Sequence, residues 1–348
     1  MKTYEESTSF DALYESMEKC KRGKIQKASV ARYVLHGVEE TLSLEQRLAD
    51  GTYLPRPPKT FRITYPKERP CSSIHIRDRI VQRSLNDNVI YPRMTKSFIW
   101  DNMACQKGKG TTRAMDRLNH LLHRFYINYG NDGWVFQFDI KGYYKNMRHA
   151  DARKCFERHL DKTTIDNIEK WLQRQYPYAI GYEPGSQTVQ ILGISMLDFL
   201  DHRVKETAKY YLRYMDDGVI ISSSISLLRQ CRIIIEKCLA MLGMGLHKKK
   251  SKIYPLSKGI MILGFTFYLT DTGKIIRIIS SKNVKHERKK LLRMSHLVQK
   301  GILSKRKFYD GYDSWKAHAK LGNSYKLLGQ MDRYVRNLME GISYDGKA

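Results

Sequence analysis

An α+β fold is predicted by three observations. Short apolar segments such as WVFQFDI and KYYLRYMDDGVIISS are separated by helical stretches in no strict βαβ order. Turn signals punctuate them: the Pro-rich YLPRPP, then NYGNDG, then TDTG. Hydrophobic residues make up 42% and charged residues 28% of the 348, a balance that buries a core and excludes a disordered chain.

Residues 1–50 read as helical, and LSLEQRLADGTYLPRPP ends that region. FRITYPKERPCSSIHI alternates apolar and polar residues and predicts a strand pair. Ile80, Val81, Leu85 and Val89 stand at helical spacing, in a helix that Pro92 is expected to close. After the QKGKGT loop a helix is predicted over 113–126, then the strand WVFQFDI, then helices over 149–160 and 164–175. YPYAIGYEPGSQ is a break, followed by one helix expected from Val189 to Glu206. KYYLRYMDDGVIISS predicts strand, tight turn and strand, with Asp216, Asp217 and Gly218 at the turn. SLLRQCRIIIEKCLAML is amphipathic. GIMILGFTFYLTDTGKIIRI is expected to be a hairpin with Thr272 and Gly273 in its turn, and everything beyond Ser280 to be helical.

Lys and Arg number 62 against 35 Asp and Glu, a formal charge of +27, which points to a polyanionic partner. The 23 tyrosines favour nucleic acid, because bases stack on aromatic faces. A solubilising or membrane-facing basic surface is the bland alternative. No apolar run approaches the roughly 18 residues of a membrane span, and the polar N-terminus has no apolar signal core, so a cytoplasmic protein is expected. Six cysteines, none in a CxxC pair, read as free thiols.

Asp139 ends an apolar strand, and Asp216 and Asp217 sit where two apolar strands meet. Carboxylates so placed are costly unless something positive satisfies them. Mg²⁺ prefers oxygen ligands, and two such ions can activate a 3′-hydroxyl and stabilise a leaving pyrophosphate. A lone Asp-Asp pair in a turn is ordinary turn chemistry. YMDD preceded by FDIKGYY is a more specific arrangement.

Those two strings resemble motifs A and C of reverse transcriptases, and the resemblance runs in order along the chain. PKERP with RDRIVQRSL is similar to the first fingers motif of bacterial reverse transcriptases, and ACQKGKGTTRA to the second. GSQTVQ stands in the place of motif B, GLHKKKSKI of motif D and GIMILGFTF of motif E. The resemblance implies a right-hand polymerase, with fingers at 1–130, a palm with an antiparallel sheet at 131–270 and a short basic helical thumb at 271–348. It implies that Asp139, Asp216 and Asp217 hold two Mg²⁺ ions, with Mn²⁺ as an alternative. Tyr144 would be the steric gate against a ribose 2′-hydroxyl, and Lys67 and Arg69 would contact the incoming triphosphate. Gly185 and Gln190 would lie under the template–primer base pair, with Gln190 also facing the nucleotide. Lys250 would protonate the pyrophosphate, a phosphate-facing basic face being the other reading of that Lys run. Lys282, Lys285, Arg288 and Lys289 would grip the backbone of the duplex.

The partners so implied are an RNA template, a DNA or RNA primer and dNTPs, with a structured non-coding RNA or an accessory subunit as further expectations. Within these residues there is no room after the thumb for an RNase H domain and no His/Cys-rich tail, which fits a compact bacterial type. Gly185 followed by Ser-Gln, and SWKAHAKLGNSYKLL, are most similar to reverse transcriptases of diversity-generating retroelements and their group-II-intron-like relatives. Val189 and His247 depart from that group's pattern, so a reverse transcriptase of antiphage defence stays open. A non-catalytic RNA-binding protein and a template-independent or protein-primed transferase are the readings from other classes.

Overall fold

The computed structural model describes residues 2–63, 68–183 and 185–340. Helices α1 (Tyr4–Thr8), α2 (Phe10–Lys21), α3 (Ala28–Leu35) and α4 (Gly37–Ala49) come first. Thr3 and Glu6 close a capping box at the start of α1. β1 (Lys59–Ile63) and β2 (Arg69–Ser73) form an antiparallel pair in which Phe61 faces Cys71.

α5 (Ile76–Leu85) buries Ile80, Val81 and Leu85. One π-turn over Asn86–Ile90 then leads into α6 (Tyr91–Met94). Pro92 therefore does not close the helix. The wide turn absorbs the irregularity, and the proline sits in the first turn of α6, where a missing N–H costs little. α7 (Thr111–Tyr129) and β3 (Trp134–Asp139) follow, then α8 (His149–Glu157) and α9 (Lys162–Gln175). The helix expected over 189–206 is two, α10 (Gln187–Ser195) and α11 (Asp198–Thr207), broken at Met196–Leu197. β4 (Tyr210–Tyr214) and β5 (Asp217–Ser222) precede α12 (Ile225–Met241) and β6 (Lys252–Pro255).

The hairpin expected at 259–278 gains a strand: β7 (Ile260–Ile262), β8 (Phe265–Leu269) and β9 (Ile275–Ile279) form a three-stranded antiparallel sheet. Leu263 and Gly264 both have positive φ (52° and 86°), which makes a tight two-residue turn where the sequence reads as one continuous apolar run. The chain ends in α13 (Ser281–Gln299), α14 (Lys305–Ala319) and α15 (Tyr325–Met339). The fold is α+β with antiparallel sheets, as the sequence predicts.

The larger sheet has the order β4-β5-β3-β6, which puts the ends of β3 and β5 side by side. Val135, Phe136, Phe138, Tyr211, Leu212 and Ile220 are among its fully buried apolar side chains. Chain contacts divide the protein into two compact units. One holds residues 1–110, 138–219 and 229–251; the other holds 111–137, 220–228 and 252–348. No helix among the described residues is long and apolar enough to cross a membrane.

Candidate active site

β3 buries Val135, Phe136 and Phe138, so the strand carries Asp139 into a nearly buried position, 9% exposed. Its main chain is fixed on both sides. The Asp139 N–H donates to Ser251 Oγ at 3.2 Å, and that hydroxyl reaches the Asp139 carbonyl at 3.2 Å. The His247 N–H donates to the same carbonyl at 2.8 Å.

The β4–β5 turn consists of Met215 and Asp216, one position earlier than expected, and Asp217 is already the first residue of β5. The Asp-Gly dipeptide suggests a turn of its own, but Gly218 is needed elsewhere. A Cβ there would stand 2.2 Å from Phe138 Cζ, so glycine lets β5 close on the aromatic ring beside Asp139. Met215 has a φ of 57°, a left-handed conformation that costs a residue with a Cβ about 1–2 kcal/mol. The Ile140 N–H donates to the Asp216 carbonyl at 3.3 Å and ties the turn to the segment after β3.

These elements bring the three carboxylates together. Burial, then Asp216, then Asp139 push the Asp217 carboxyl up to about 7. Lys250 Nζ lies 2.5 Å from Asp139 Oδ2. Among the described residues, no group of three or more His, Cys, Asp or Glu side chains is gathered so as to hold an ion as it stands, and Asp139 is paired with Lys250. The donor set fits a hard divalent cation: it is all carboxylate oxygen, crowded, and short of positive charge.

The other expected residues fall as follows. Tyr144 packs on α10, where a Cβ on Gly193 would stand 2.8 Å from its hydroxyl, and that hydroxyl is buried without a hydrogen-bond partner. Gly185 takes a φ of 156°, and a Cβ there would meet the Ser72 carbonyl at 2.5 Å. Ser186 caps α10 and donates to Gln82 Oε1 at 2.9 Å. Asn86 Nδ2 donates to Thr188 Oγ1 at 2.9 Å, so α5, through Gln82, and the π-turn after it grip the start of α10. Gln190 lines two cavities of about 280 and 220 Å³ that share Arg83, Gln187 and Gln190. Lys19, Lys24, Arg79 and Arg83 line the smaller.

Lys67 lies outside the described residues, and Arg69 is described only as the backbone partner of Ile63. Lys282, Lys285, Arg288 and Lys289 are exposed on α13, with Arg288 leaning over Tyr334, 5.7 Å from its ring centre.

Sequence reasoning missed Arg213 and Asp201. Both are fully buried and paired at 2.5 Å. The signal was present: an arginine in the middle of an otherwise apolar strand, YLRY, must bring a partner with it.

The profile of the family described as reverse transcriptase (RNA-dependent DNA polymerase) matches residues 58–267. No curated protein matches the sequence. Among solved structures, telomerase from Candida albicans in complex with a fragment of telomeric RNA superposes with a TM-score of 0.49 at 12% identity, over 84% of this chain and 60% of that one. Apo telomerase from Candida tropicalis, truncated from its C-terminal domain, gives 0.45 at 12% identity, over 69% and 60%. The chain thus spans 60% of the length of each, and at this level neither bears on what it does.

Proposed function

The chain belongs to the reverse transcriptase (RNA-dependent DNA polymerase) family, and from that premise we propose that it copies an RNA template into DNA by nucleotidyl transfer. The observation that carries this reading is the convergence of Asp139, Asp216 and Asp217 within the matched segment. Bound there, two divalent ions, Mg²⁺ by the hardness of the donors, would supply activation of the primer 3′-hydroxyl and neutralisation of the triphosphate.

The chain's own residues do the positioning. Ser251 and the His247 amide hold Asp139 at the end of β3. Lys250, paired with Asp139, would be the group to protonate a leaving pyrophosphate. The cationic wall of Lys19, Lys24, Arg79 and Arg83 suits a template backbone approaching Gly185 and Gln190. Lys282, Lys285, Arg288 and Lys289 suit phosphates of an A-like hybrid. Lys67 and Arg69 complete the reading as triphosphate contacts.

Tyr144 is read as the 2′-hydroxyl gate. Since its own hydroxyl has no partner, Tyr144→Phe is expected to extend primers within about twofold of the unmodified protein, because an unpaired buried hydroxyl contributes nothing to lose. Tyr144→Ala is expected to admit ribonucleotides. Competition between dNTP and rNTP measures both, and unchanged discrimination in Tyr144→Ala removes the gate.

For the biological setting we propose a diversity-generating retroelement or a group-II-intron-like relative, on the Gly185-Ser-Gln start of α10 and the SWKAHAKLGNSYKLL segment. Val189 and His247 favour the second reading, a defence enzyme copying a dedicated RNA or making repetitive DNA. Primer extension on an RNA template with Mg²⁺ and four dNTPs, beside Asp217→Asn, tests the reading. Template-complementary DNA from the unmodified protein alone supports it. Untemplated or repetitive product favours the defence reading, and equal products from both proteins refute the site.

A further inference from the structure

We infer that Arg213, anchored by Asp201, is a positioning residue that fixes the carboxylate turn of the polymerase site and thereby sets its affinity for divalent metal. The inference rests on the reading of Asp139, Asp216 and Asp217 as metal ligands, and concerns two residues that touch neither substrate nor metal.

Arg213 is the second-last residue of β4 and is wholly buried, as is Asp201 on α11. The guanidinium uses its fork completely. Nε donates to Asp201 Oδ1 at 2.6 Å and Nη2 to Asp201 Oδ2 at 2.5 Å. Nη2 also reaches the Ile194 carbonyl at 3.1 Å, the last turn of α10. Nη1 donates to the Met215 carbonyl at 2.7 Å. That last bond ends on the left-handed residue of the β4–β5 turn, next to Asp216. Tyr211 adds a hydroxyl bond to Asp201 Oδ1 at 2.7 Å. The edge of β4 is closed by the Arg213 N–H to the Asp101 carbonyl at 3.0 Å and the Met103 N–H to the Arg213 carbonyl at 2.9 Å.

A strained turn persists only where its surroundings over-determine it. Here the surrounding is a buried cation whose charge is neutralised by Asp201 and whose Nη1 arm holds the strained peptide through the Met215 carbonyl. The break between α10 and α11 is part of the device. One helix presents the Ile194 carbonyl and the other presents Asp201, and both meet the same guanidinium. A lysine cannot replace it, because a single ammonium cannot span two carboxylate oxygens and two carbonyls in one plane.

The test compares Arg213→Lys with Asp78→Asn. Asp78 is equally buried and receives the Tyr53 hydroxyl at 2.7 Å and the Arg56 N–H at 2.9 Å, remote from the carboxylates in role, so it controls for loss of stability alone. Mn²⁺ binding by the metal-free protein is read by electron paramagnetic resonance, beside primer extension as a function of Mg²⁺ and dNTP. Arg213→Lys is expected to weaken Mn²⁺ binding about tenfold and lower kcat about 100-fold, with the dNTP KM within about twofold, since a misplacement near 1 Å costs that much in rate. Asp78→Asn should lower the unfolding temperature without either change. Equal Mn²⁺ affinity in the unmodified and Arg213→Lys proteins overturns the inference, whatever extension shows. Weakened Mn²⁺ binding in a protein that never extends a primer would sink the polymerase reading and leave this one standing. If Arg213→Lys does not fold, Tyr211→Phe removes only the hydroxyl bond to Asp201, and it should shift Mn²⁺ affinity the same way by a smaller factor; no shift there counts against the inference.

Discussion

Asp216→Asn should abolish primer extension, by roughly 10³-fold or more, about 4 kcal/mol of barrier, while RNA binding stays within a factor of about two. The asymmetry follows from where the residue sits. Asp216 is in the turn beside Asp217, whose carboxyl is pushed up to about 7 by burial first and then by Asp216 and Asp139, so removing the Asp216 charge relieves repulsion at Asp217. A fall in stability that accounts for the lost activity would mark Asp216 as structural. Retained extension in a metal-defined sample would remove it from the site. Binding is carried by other groups, chiefly the excess of Lys and Arg, and should be insensitive to one carboxylate.

The second large effect is expected at Gly218. Its added methyl in Gly218→Ala would overlap Phe138, with 2.2 Å to Cζ and 2.3 Å to Cε1. Phe138 cannot move aside: it is fully buried and stacks on Tyr211 with ring centres 6.5 Å apart. Overpacking of this kind costs about 1–3 kcal/mol of stability. The functional cost is larger, because Gly218 follows Asp217 and Phe138 precedes Asp139, so strand separation is carboxylate separation. Extension should drop about 100-fold. Phe138→Leu in the same chain frees the space and should restore about tenfold or more of that loss. Extension rates of the two single variants and the double variant decide this. A double variant no faster than Gly218→Ala would show that the contact does not set the carboxylates apart.

Much of the fold is legible in the sequence because periodicity reports burial. WVFQFDI, the apolar halves of YYLRYMDDGVIIS and helices α7, α8 and α9 occur where the pattern places them. The departures share a cause: local signals were overruled by tertiary demands. Asp216, Asp217 and Gly218 read together as a turn, yet Gly218 is spent on Phe138 and the turn moves back to Met215. The run from Val189 to Glu206 reads as one helix, yet it breaks at Met196–Leu197, and Asp201 then faces Arg213. Leu263 carries no turn signal and still takes a φ of 52° ahead of Gly264.

The candidate site was legible in its carboxylates, whose presence in apolar strands demands an explanation. Their supports were not. Ser251 lies in a basic run and reads as surface, and the Gln82, Asn86, Ser186 and Thr188 bonds join residues far apart in sequence. Arg213 was visible as an anomaly in β4, but nothing along the chain names Asp201 as its partner.

The most direct measurement is anomalous scattering from crystals of the protein with Mn²⁺, an RNA template, a DNA primer and a non-reacting dNTP. Two Mn²⁺ peaks against the carboxylates of Asp139, Asp216 and Asp217, with the primer end and the triphosphate on either side, are the predicted result. A nucleic acid bound elsewhere, or ions held by other residues while these three carboxylates keep only their contact with Lys250, would contradict the account.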